Sequence, residues 1–97
     1  MSEYIAPVRD MQFVLKELAG LEQVAQLPGC EEATPDLVDA VLDEAARFAE
    51  EVLSPLNWPG DQEGARWHDK TVTMPAGFKE AYRLFAESGW TALGSEP

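Results

Sequence analysis

Thr34-Pro35-Asp36-Leu37-Val38-Asp39-Ala40-Val41-Leu42-Asp43-Glu44-Ala45-Ala46-Arg47-Phe48-Ala49-Glu50-Glu51-Val52-Leu53 is the stretch that decides the fold class. Thr34 is a good N-cap, Pro35 suits the first helical position, and Asp36 favours the positive end of the helix dipole. At ~100° per residue, Leu37, Val38, Val41, Leu42, Ala45, Ala46, Phe48, Ala49, Val52 and Leu53 all fall in one half of the wheel. Asp36, Asp39, Asp43, Glu44, Arg47, Glu50 and Glu51 fall in the other. An apolar face this wide exceeds the ~100° stripe of a helix resting on one neighbour, so it predicts packing against two or more elements. The acids read as a solvated face, softened by helix-spaced pairs of Arg47 with Asp43 and Glu51. Ser54-Pro55 is expected to stop the helix at about Leu53.

Two further helices follow from the same periodicity. One runs from Pro75 or Ala76 to about Ser88, with Phe78, Ala81, Tyr82, Leu84, Phe85 and Ala86 on its apolar face and Gly89 as a left-handed C-cap. Gly77 weakens its first turn unless close packing requires it. The other runs from about Val8 to Leu18, with Met11, Val14, Leu15 and Leu18 apolar and Phe13 out of phase, as if touching something else. Ser54 to Thr73 fits neither helix nor strand. Its Trp58 and Trp67 need burial against some surface, and a loop this long is uncommon in a compact domain. The tail from Trp90 begins like an extended segment and has no closing element, which predicts a polypeptide continuing beyond Pro97. The fold class is therefore all-α, three amphipathic helices of a helical domain fragment, belonging to a longer chain or an oligomer.

Composition narrows the function. The net charge is -11, from 18 acids and 7 bases among 97 residues, which argues against nucleic acid and anionic membranes as partners. No apolar run approaches the ~20 residues of a membrane span. The start shows no basic segment followed by an apolar one, so a cytoplasmic protein is expected. Cys30 and His68 are the only residues of their kinds. A Cys/His zinc site lacks its ligands, and Cys30 is better read as a plain thiol than as a nucleophile. Gly60 and Gly64 fit neither a phosphate loop nor a dinucleotide fingerprint, and Asp61, Glu63 and Asp69 lack calcium-loop spacing. No catalytic, cofactor or metal residue is expected in this chain.

Tyr4-Ile5-Ala6-Pro7-Val8-Arg9-Asp10-Met11-Gln12-Phe13-Val14-Leu15 resembles the amino-terminal extension of one acyl-CoA dehydrogenase subfamily. Ala33 to Leu37, and Phe48 through Ser54-Pro55-Leu56-Asn57, look like the next helix of that group. Gly60-Asp61-Gln62-Glu63-Gly64 is similar to its loop. Pro75-x-Gly77-Phe78-Lys79-Glu80-Ala81-Tyr82 through Gly89-Trp90 resembles the helix leading to its first substrate-side strand. Cys30 and Gly94-Ser95 depart from the pattern. The resemblance runs in order along essentially the whole chain.

It implies a three-domain α+β parent with FAD held between the middle and last domains, acyl-CoA as substrate, and a separate electron acceptor. In that family a glutamate of the last domain takes the α-proton and the β-hydride goes to the flavin. The expected division is an extension with the first helix at 1–33 and a partial amino-terminal helical domain at 34–97, with helices at about 35–53 and 76–88. The chain's own share is scaffold, with Phe85, Trp90 and Leu93 as candidates for a wall of the acyl pocket. The alternative is a free-standing acidic helical module that binds a partner helix. The uncovered apolar faces predict a homo-oligomer. Light scattering at high concentration checks this, and a clean monomer would count against it.

Overall fold

A computed structural model describes residues 3–96 of the chain. The structure is mostly helical, as expected. Among the described residues there are five α-helices where three were expected, together with a two-stranded hairpin. The chain divides at Glu51–Val52 into two compact units, described separately here.

In the first unit, Pro7 adopts φ -79° and ψ 64°, and the Val8 N–H donates to the Ala6 carbonyl at 2.8 Å. This is an inverse γ-turn, and it feeds α1, Val8–Phe13, which widens into a π-helical turn at Val14–Leu18. The helix ends where expected because Gly20 turns left-handed, with φ 72°. A short helix that the sequence did not announce, α2 at Leu21–Val24, buries Leu21. At four residues it is too short to leave a periodic signal.

Helix α3, Pro35–Phe48, starts as its sequence dictates. The Thr34 hydroxyl accepts the Leu37 N–H at 3.2 Å, and Pro35 occupies the first turn. Val38, Val41, Leu42, Ala45, Ala46 and Phe48 are half-buried, while Asp36, Asp43 and Glu44 are exposed. Arg47 pairs with Glu44 at 3.1 Å, one helical turn away, instead of the expected Asp43 and Glu51. Asp39 and Glu50 also break the expected pattern by being half-buried. Asp39 accepts the Lys16 ammonium at 2.9 Å, and Glu50 accepts the Ala6 N–H at 2.9 Å. The order of these contacts runs α1 antiparallel to α3. The two separations match, ten residues (6 to 16) against eleven (50 to 39).

Ser54-Pro55 does not stop the helical path. A π-helical turn at Ala49–Leu53 leads into α4, Ser54–Glu63, which has Pro55 in its first turn and Pro59 inside it. Pro55 has no N–H to donate, and the wider π turn directly before it carries the helical path past that missing donor. The signal read as a stop is a start.

In the second unit, α4 is followed by a hairpin. Strands β1, Arg66–His68, and β2, Thr71–Thr73, pair antiparallel with Trp67 opposite Val72. Asp69 and Lys70 turn the chain with φ 49° and 63°, the conformation that matches strand twist in a two-residue hairpin. Three-residue strands are too short to show alternation, and Asp-Lys is not the usual turn signal, so both elements were illegible. The tryptophans are not buried within the chain: Trp58 is 49% exposed and Trp67 70%.

Helix α5, Phe78–Glu87, begins later than Pro75 because Gly77 is left-handed, with φ 90°. Gly77 is also fixed by space, since a Cβ there would lie 2.7 Å from Leu56. A Cβ on Gly60 would lie 2.5 Å from the Phe78 ring. Glycine thus lets α4 and α5 approach closely, and the Ala76 N–H closes the joint by donating to the Glu63 carboxylate at 2.6 Å. After α5, Gly89 is left-handed as expected, with φ 85°. Trp90–Ala92 then form a 3₁₀ turn instead of the expected extended segment. No helix of the described residues is long and apolar enough to cross a membrane.

Replacing Gly60 by alanine should cost about 1–3 kcal/mol, the usual penalty of overpacking. Gly94, beside which a Cβ meets open space, should tolerate the same change within about 0.5 kcal/mol. Denaturant midpoints of the two variants check this.

Candidate functional site

Within the second unit an apolar groove of about 280 Å³ is lined by Leu53, Leu56, Asn57, Phe78, Ala81, Tyr82 and Phe85. Phe78, Ala81, Tyr82 and Phe85 stand at i, i+3, i+4 and i+7 of α5, the spacing that puts four side chains on one helix face. Ala81, 6% exposed, is the small residue on that face. The Tyr82 and Phe85 rings lie 6.5 Å apart at 32°. Leu56 and Asn57 come from α4. The volume sits at the lower edge of small-molecule pockets, which run from ~300 Å³. The lining offers one amide and one phenol as polar groups.

The opposite face of α5 is ionic. Arg83 donates to Glu80 through Nε at 2.9 Å and to Glu87 through Nη1 at 2.6 Å, and its Nη2 also reaches Glu80. Hydrogen bonding to Arg83 holds the Glu80 carboxyl below the usual carboxylate range, and the bonds from Glu80 and Glu87 push the guanidinium up. All three groups are solvated, and exposed pairs of this kind contribute little to stability. Elsewhere, Glu31 is held low by its own backbone N–H and that of Gly29. Among the described residues no group of three His, Cys, Asp or Glu side chains could hold a metal ion.

Of the residues expected to form a pocket wall, Phe85 lines the groove. Trp90 is half-buried at the start of the 3₁₀ turn, and Leu93, which follows it, is 65% exposed. Neither joins Phe85 in the groove lining. The other α5 residues of the groove were legible as that helix's apolar face. Leu56 and Asn57 were missed because Ser54-Pro55 read as the end of a helix.

No family model matches the chain. It is 41% identical over 90 residues to 3-methylmercaptopropionyl-CoA dehydrogenase of Ruegeria pomeroyi, a match covering 93% of the chain and 15% of that protein. It is 29% identical over 96 residues to the broad-specificity linear acyl-CoA dehydrogenase FadE5 of Mycobacterium tuberculosis, covering 97% of the chain and 16% of that protein. The chain thus spans about a sixth of the length of these relatives.

An apolar dye that enters this groove should respond to changes in its lining. The Tyr82→Ala change should widen it and strengthen fluorescence of an apolar dye, and Phe85→Lys should weaken that fluorescence. Equal signals from both variants would show that the dye binds elsewhere.

Proposed function

We propose that this chain, a sequence relative of the acyl-CoA dehydrogenases over nearly its whole length, is the amino-terminal helical part of such an enzyme. The parent would be an FAD-dependent oxidoreductase that carries out α,β-dehydrogenation of an acyl-CoA thioester and passes electrons to a separate acceptor. The observation that carries this reading is the 41% identity spread over 93% of the chain. Isolated motifs are short enough to recur by chance, but a match along the whole chain is not.

FAD is the cofactor this family implies, and the residues of this chain do not fit it. A dinucleotide needs cations or helix N-terminal N–H groups against its pyrophosphate. The groove supplies Asn57, Tyr82 and otherwise apolar side chains. Flavin contacts and the catalytic base would come from outside these 97 residues. This chain's share is packing, with Phe85 and its groove neighbours as part of an apolar wall for the acyl chain, while Trp90 and Leu93, also expected in that wall, lie outside the groove lining. The proposed division keeps 1–33 as an extension and 34–97 as part of the helical domain, in a cytoplasmic homo-oligomer.

A second reading, an acidic helical module that binds a partner helix, draws on exposed apolar side chains. Phe13 is 58% exposed and Leu18 72%.

The full gene product separates the two. On the first reading it is yellow when purified, and its flavin absorbance bleaches under anaerobic conditions when an acyl-CoA is added. A colourless product of about this length, unresponsive to acyl-CoA, would sink the dehydrogenase reading and favour the module.

A further inference from the structure

The segment before α2 is fastened by polar contacts at its two ends to α3 and to the π turn that follows α3. At one end the Ala6 N–H meets the Glu50 carboxylate. At the other, the Lys16 ammonium meets Asp39, with both side chains about a third exposed, at 37% and 32%. Neither α1 nor the π turn after it has a buried residue. Met11, Phe13, Val14 and Leu18 are 38%, 58%, 47% and 72% exposed and Val8 and Leu15 are half-buried, so the segment docks without a fully buried apolar side chain.

Two other features favour release. Asp39 Oδ1 is shielded from solvent and has no hydrogen-bond partner, a cost of the closed state. The chain also has a joint. Ala19 ends the helical path, Gly20 is left-handed at φ 72°, and the Gln23 and Val24 N–H groups donate to the Gly20 carbonyl, so α2 starts independently of α1. α3 has no fully buried residue either, but it is capped by Thr34 and carries half-buried Val38, Val41, Leu42, Ala45, Ala46 and Phe48 along one face.

We propose that residues 4–18 form a strap that opens as one unit about Ala19-Gly20 while α3 stays folded, and that opening uncovers the carboxylates of Asp39 and Glu50. Elements with few buried apolar contacts open at free energies well below global unfolding, and contiguous segments open together. The Lys16–Asp39 pair, about a third exposed, makes the strap sensitive to ionic strength, because salt partly screens it.

Hydrogen–deuterium exchange of the intact protein tests this. Amides from Met11 to Leu18 should exchange together, at least about tenfold faster than those from Leu42 to Phe48, as a separate opening unit requires. Lys16→Ala and Glu50→Gln, neither of which lies in α3, should speed the strap several-fold and leave α3 unchanged, and added salt should act in the same direction. Strap and α3 amides exchanging at one rate would overturn the proposal. So would variants that leave the strap unchanged, or that accelerate both segments equally. None of these outcomes depends on the enzymatic reading.

Discussion

The Phe78 ring lies against the backbone of Gly60, and the rest of the second unit depends on that contact. A side chain at Gly60 would collide with the ring at 2.5 Å, and one at Gly77 would collide with Leu56 at 2.7 Å. Two glycines on facing elements therefore set how closely α4 and α5 approach. Phe78 and Leu56, which meet these glycines, both line the groove. The same approach brings the end of α4 within reach of the start of α5, where Glu63 accepts the Ala76 N–H. The hairpin between them is a loop whose two ends are tied together. This arrangement makes a little buried surface go far, which matters in a chain whose buried hydrophobic core residues, among those described, are Leu21 and Ala81.

Carboxylates take over where apolar burial is thin. A chain of net charge -11 has acids to spare, and three of them act as anchors. Glu50 holds the Ala6 N–H, Asp39 holds Lys16, and Glu63 holds the Ala76 N–H. A charged acceptor on an N–H donor is stronger than a neutral pair, and its geometry is specific. The expectation of a wholly solvated acidic face on α3 was right for Asp36, Asp43 and Glu44 and wrong for the two residues that hold another segment. The result is a fold positioned by polar contacts, with large apolar side chains left on its surface. That surplus fits a piece of a larger assembly, in agreement with relatives about six times its length.

Periodicity fixed much of this in advance. The start of α3 was readable from Thr34-Pro35-Asp36, because capping and proline preference are local. The end of α5 was readable from Gly89, because a left-handed C-cap is local too. The α5 side of the groove was readable because i, i+3, i+4, i+7 spacing needs no knowledge of a neighbour. The resemblance to acyl-CoA dehydrogenases was likewise carried by residues in order along the chain, and the comparisons with known proteins agree with it.

What only the tertiary structure decided follows from contacts between residues far apart in sequence. Pro55 could stop one helix or start another, and the π turn before it made it a start. Gly77 could weaken a first turn or permit an approach, and Leu56 against its Cα made it the second. Asp39 and Glu50 carry the same chemistry as their solvated neighbours and differ only in what folds onto them. Local propensities and helix faces were therefore determined by sequence alone. Which proline, glycine and acid had a structural task was not, because each task is set by a partner that sequence position does not reveal.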